Sequence, residues 1–161
     1  SERAQTVAFS DPYFQSEQVM VVRNDGNYAD ATSLEDFTSA RVVAQLGTLQ
    51  DDLIDQITGV NHQAALHDYA SLVTALLNNA SDAFVAELPV AMGIVAANPS
   101  LSYITFTDGN GFTVTPEDVT VSVALRQEDT ALLSAINDAL NAISTETRNG
   151  YMEAALSRQP Q

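Results

Sequence analysis

Val43-Ala-Gln-Leu-Gly-Thr-Leu-Gln50 decides the fold. Arg41 to Leu46 is an apolar run suited to a strand buried on both faces. Gly47-Thr48 then turns the chain, and a helix is expected from about Leu49 through Ile57. A strand that opens through such a turn directly into a helix is the building unit of an α/β sheet. The helix start also leaves backbone N–H groups unpaired, which favours an anion there. Two other stretches place a polar group where an apolar strand ends: Phe9-Ser-Asp-Pro-Tyr-Phe14 and Asp82-Ala-Phe-Val-Ala-Glu-Leu-Pro89. In the latter, Asp82 to Ala86 reads as a strand and Glu87 ends it. Pro89 sits in the first turn of the next helix, where its missing N–H costs nothing. An anion site at the second island and an acid at the third would together suit a zwitterion, so the pattern points to an amino-acid site.

The rest of the chain keeps the alternation. Gln18 to Arg23 is β-branched and extended, and Asn24-Asp-Gly-Asn27 turns it. Ser33-Leu-Glu-Asp36 resembles a capping box opening a short helix, with Asp where Glu is usual. Ala64 to Leu66 is a candidate strand, Ser71 to Asn78 a helix, and Leu101 to Phe106 a strand that ends in the turn Thr107-Asp-Gly-Asn-Gly111. Val119 to Arg126 alternates and reads as one extended segment. Asp129 to Ile143 and Glu146 to Leu156 carry apolar residues at helical spacing. Their stripe (Leu132, Leu133, Ile136, Leu140, Ile143, Met152, Leu156) needs cover, because soluble monomers rarely expose so long a patch.

The chain's 161 residues, 45% hydrophobic and 17% charged, suffice for a domain with its own core. Acidic residues number 21 against 6 Arg and no Lys, a formal net charge of -15. That field repels nucleic acid and anionic lipid, so neither is expected as a partner. Cysteine is absent, which excludes disulfides, thiolate metal ligands and a Cys nucleophile. His62 and His67 have no convergent acids at a defensible spacing, which speaks against a metal site. Ser10, Ser16 and Ser71 lack a nucleophile-elbow context. No run reaches the ~18 apolar residues of a membrane span. Ser1-Glu-Arg-Ala-Gln5 is polar, unlike a signal peptide, and reads as the interior of a longer product.

Taken in order, Glu2-Arg3 with Phe9–Tyr13, Val43–Gln50, Asp82–Pro89 and the tail Leu133–Gln159 resemble one family. It is the type II periplasmic binding proteins, specifically the extracellular amino-acid-binding subunits of ABC importers (solute-binding protein family 3, Gram-positive-like branch). The resemblance covers essentially the whole chain. It implies an α/β fold of two lobes joined by two crossing strands, here as a fragment lacking most of lobe one. Residues 1–16 would be a remnant of lobe one and the first crossing, and 20–119 lobe two. Residues 120–161 would be the second crossing and the C-terminal helices of lobe one. A second copy of the chain, as a homodimer, or a fold-back onto lobe two would cover the apolar stripe.

The resemblance also assigns roles. Arg3 matches the Arg that forks onto the ligand's α-carboxylate, a bidentate contact Lys could not reproduce. Thr48 and Gln50 would meet that carboxylate at the helix start. Thr before a helix is equally an ordinary cap. Leu49 stands where the family often has a second Thr, so one hydroxyl is lost. Glu87 matches the acid that accepts the α-ammonium; by itself it would be a helix N-terminal charge. Gln45 matches a position touching the ligand side chain, which favours arginine, lysine, glutamine or histidine, and it is equally a strand-end amide facing solvent. No cofactor is implied. The partners implied are a free polar amino acid and a membrane permease. The location implied is extracellular or periplasmic, held at the membrane by a lipid anchor or the permease. The rival readings are an enzyme on the same fold, such as a dehydratase or lytic transglycosylase with Glu87 as its acid, or a sensor ectodomain. Fold alone does not choose among them; the site motifs favour binding over catalysis.

Overall fold

Gln18–Arg23 is buried along five of its six residues, and it forms the middle of the architecture. The computed structural model describes residues 6–107, 109–156 and 158. In chain order the strands are β1 (Val7–Phe9), β2 (Phe14–Gln15), β3 (Gln18–Arg23), β4 (Arg41–Val43), β5 (Asn61–His62), β6 (Ala83–Glu87), β7 (Leu101–Ile104), β8 (Thr120–Val121) and β9 (Ala124–Arg126). The helices are α1 (Leu49–Leu53), α2 (Tyr69–Leu77), α3 (Leu88–Ala97), α4 (Pro116–Val119), α5 (Thr130–Asn141) and α6 (Thr145–Leu156). The described residues fall into two compact units, residues 17–115 and residues 6–16 with 116–158.

In the unit of residues 17–115, β3 to β7 make one sheet in the order β5-β4-β6-β3-β7. β4 runs parallel to β5 and β6, and β3 antiparallel to β6 and β7. Period-2 alternation sends side chains to two cores. Met20, Val22, Val42, Ala83 and Val85 meet Phe37, Ile54 and Ile57 on one face. Val19, Val21, Val43, Phe84 and Ala86 meet Leu72, Leu76 and Ala91 on the other. Hence the segments that carry Phe37, Ile54 and Ile57 cover the first face, and α2 and α3 the second.

Several local expectations are sharpened. The expected strand at 41–46 pairs regularly only through Val43, then bridges once from Gln45 to Leu66. The strand expected at 64–66 sits earlier, at Asn61–His62, because Leu66 joins only through that bridge. The helix expected over 49–57 changes pitch after Leu53 to a 3-10 turn, Ile54–Gln56. At the other short helix, the Asp36 carboxylate accepts from the Ser33 N–H at 2.9 Å, so the Asp-substituted box closes around a 3-10 turn, Leu34–Phe37.

In the other unit, β1 pairs with β9 and β2 with β8, both antiparallel. Between them Ser10 N–H donates to the Val123 carbonyl and Tyr13 N–H to that of Val121, each at 2.9 Å. The segment expected to be extended over 119–126 therefore starts inside α4, with Pro116 at its first position, and then splits into β8 and β9. Asp11 is tied to α5, its N–H donating to Asn137 Oδ1 at 2.9 Å. Tyr13, Phe14, Leu140, Ile143, Tyr151 and Met152 line an apolar groove of about 280 Å³. The side chain of Leu156 lies outside the described residues. Among the described residues no helix is long and apolar enough to cross a membrane.

Candidate functional site

The parallel neighbours β4 and β6 end at the same sheet edge, where the antiparallel β3 begins. Register pairs Val43 with Phe84, so the turn after β4 and Glu87 at the end of β6 share that edge. Gly47 turns the chain with φ +74°, a left-handed conformation that glycine adopts without strain. A Cβ at Gly47 would meet nothing within 4 Å, so conformation rather than space favours glycine there.

Thr48 occupies the N-cap of α1, yet its hydroxyl caps nothing. Its Oγ1 donates to the Gln45 carbonyl at 2.7 Å and closes the turn. That proton is therefore spent, and what the helix start offers an anion is backbone. The N–H groups of Leu49 and Gln50 belong to the first turn, where an α-helix supplies no intrahelical acceptor. Gln50, 6% exposed, turns its side chain inward, and its Nε2 donates to Gln18 Oε1 at 2.8 Å.

Glu87 is half-buried and holds the N-cap position of α3 in extended geometry, with no side-chain cap bond. The helix-charge reading thus lacks its usual hydrogen bond. Gln18 pairs with Glu87 in register, so the two side chains share the face of Met20 and Val22, where Gln50 of α1 reaches Gln18. Gln45 points elsewhere. Alternation puts it on the α2–α3 face, where its Nε2 donates to the His67 carbonyl at 3.0 Å. Arg3 lies outside the described residues.

Two residues at this edge escaped the sequence reading. Gln18, the polar opening of an otherwise apolar strand, was the visible signal for one. Tyr69, first in α2 after the capping Asp68, stacks at a tilt on Phe84 with ring centroids 6.4 Å apart. Burial raises its phenol pKa, and the Glu87 charge raises it further. The edge thus combines N–H groups suited to an anion with a carboxylate suited to a cation.

The sequence profile of the bacterial extracellular solute-binding proteins, family 3, matches residues 1–154. A probable histidine-binding protein of Campylobacter jejuni is 36% identical over 110 residues, 67% of this chain and 41% of that protein. A probable histidine-binding protein of Neisseria gonorrhoeae is 26% identical over 146 residues, 88% of this chain and 51% of that protein. Among solved structures, a truncated, arginine-bound form of ArgBP from T. maritima is 30% identical with a TM-score of 0.65. It is matched over 89% of this chain and 63% of its own. The chain thus spans about half the length of the curated relatives it matches. These relatives and neighbours are binding proteins rather than enzymes, and the fold they share is the type II periplasmic-binding-protein fold. The chain belongs to the bacterial extracellular solute-binding proteins, family 3.

Proposed function

We propose that this chain binds a free polar amino acid outside the cell and serves a membrane permease of an ABC importer, by closure of two lobes on the ligand. The observation that carries the reading is the Glu87 carboxylate at the end of β6, free of any cap bond, at the sheet edge where β4 opens into α1. Glu87 takes the α-ammonium, and the backbone N–H groups of Leu49 and Gln50 take the α-carboxylate. Arg3 joins them through its family match. Thr48 shapes the turn, and Gln45 holds the loop that leads into α2 and Tyr69. The histidine- and arginine-binding names of its relatives support a ligand of the arginine, histidine, glutamine or lysine type. Attachment to the membrane through a lipid anchor or the permease, and pairing of this chain with a second copy, belong to the same proposal.

A thermal-shift screen of the twenty amino acids, followed by calorimetry, tests it. Glu87→Gln should weaken the best ligand by about 30-fold to several-thousand-fold, the usual result of removing one partner of a buried charge pair. An unchanged dissociation constant would return Glu87 to a plain helix-start acid.

A further inference from the structure

We propose that Gln18 is the positioning residue for Glu87, linking it by hydrogen bonds to the start of α1. This rests on the binding reading above. Gln18 stands directly opposite Glu87 in the β3–β6 register. Directly opposed residues rise from one face of a sheet with Cβ atoms about 5 Å apart. Gln18 is 6% exposed, and its Oε1 accepts from Gln50 Nε2 at 2.8 Å, which fixes the end of the amide that faces α1. Its Nε2 carries the remaining donors. That atom is buried, with no acceptor among the described residues.

A buried amide donor without a partner is costly, and native proteins rarely keep one without a use. Glu87 is the complementary case across the strand pair: an acceptor-only carboxylate that caps no helix N–H. In the proposed arrangement the Glu87 side chain rotates to accept from Gln18 Nε2. The chain Gln50–Gln18–Glu87 then gives the buried Gln18 amide an acceptor, and hydrogen bonds linked in this way stiffen one another. Its effect is to aim the Glu87 carboxylate at an ammonium. The ammonium pole of a zwitterion is thereby set by a side chain that does not contact it.

The test is titration of the intact protein with L-arginine, L-histidine, L-glutamine and L-lysine, then with the des-amino analogue of whichever binds best. Gln18→Met removes the relay, and Gln18→Glu keeps the acceptor for Gln50 but carries no donor. Each should weaken the amino acid by about tenfold or more and leave the des-amino analogue, which has no ammonium to place, within about twofold. A merely structural role weakens both ligands equally, and that outcome overturns the proposal, as does an unchanged affinity for the amino acid. Circular dichroism identifies a variant that fails to fold, and the other then decides. If the unaltered protein binds none of the four, the binding reading fails and this proposal with it. Binding that is indifferent to Gln18 sinks the proposal alone.

Discussion

Both ring nitrogens of His62 face carboxylates: Nδ1 lies 2.8 Å from Asp55 Oδ1, and Nε2 3.0 Å from Asp51 Oδ1. Only the imidazolium can donate at both positions. Partial burial works against that charge, but the bonds to Asp51 and Asp55 outweigh it and raise the ring's pKa above its ordinary 6.5. A raised folded-state pKa gives stabilisation that is complete below the unfolded value and is lost as pH rises through the folded one. His62→Gln should therefore cost about 0.5–1 kcal/mol near pH 5.5, the range of partly exposed ion pairs, and clearly less near pH 9. Thermal melts of both proteins at the two pH values check this, and an equal loss at both would contradict the paired imidazolium. The clamp matters beyond its energy because it fastens the edge strand β5 to α1, the helix whose start is proposed to hold a carboxylate.

At the scale of elements, α2 is fixed at both ends by side chains from outside its apolar face. Asp68 caps its start, accepting from the Ser71 N–H at 2.7 Å. Beyond its last turn Asn79 adopts φ +58°, a left-handed residue of the kind that ends helices. Arg41 Nη1 donates to the Asn79 carbonyl at 2.9 Å, and Arg23 Nη1 to the Leu76 carbonyl at 2.7 Å. Cations are favoured at a helix C-terminus. Asp82 completes the knot, gripping Arg41 through Nε at 3.0 Å and Nη2 at 2.7 Å, and accepting its backbone N–H at 2.8 Å. The strand starts of β4 and β6 and the end of α2 thus meet in one charged cluster. The Arg41 side chain holds the Asp82 carboxyl below its ordinary range, against burial, which pushes the other way. A depressed pKa contributes stability above the unfolded value, lost as pH falls through the folded one. Asp82→Asn should cost about 1.5–3 kcal/mol at pH 7, the worth of charged hydrogen bonds. The gap should close as the pH falls toward about 3. Urea melts at both pH values would show it, and a gap independent of pH would assign the loss to shape instead of charge.

At the scale of the whole molecule, two tendencies oppose each other. No residue of α5 is fully buried, Leu132 is 52% exposed and Tyr151 of α6 64%, beside the apolar groove. Exposed apolar surface favours association. The net charge of -15 favours dispersal, but over separations longer than about 8–10 Å salt screens it. The proposed pairing with a second copy should therefore strengthen from low to moderate ionic strength, and Leu132→Glu should weaken it. Light scattering across protein and salt concentrations decides, and a monomer throughout would reject the pairing.

The α/β class and its family were legible in the sequence, because the evidence for them is local. Apolar runs at 18–23 and 83–86, a Gly–Thr turn and a Pro in a helix's first turn specify their own conformations, whatever they later pack against. What the tertiary structure alone decided are the pairings between distant segments. Nothing in Gln18-Val-Met-Val-Val-Arg23 says that its first residue will stand opposite Glu87, since antiparallel register is set by packing of both cores at once. The two acids that bracket His62, and the edge position of β5, likewise follow from where a strand comes to rest beside α1. Thr48 shows the limit most clearly: its position was readable as cap or ligand group, but only the folded turn places the Gln45 carbonyl where the hydroxyl donates. Local chemistry chose the elements, whereas a hydrogen bond across the fold depends on coordinates that a single segment does not contain.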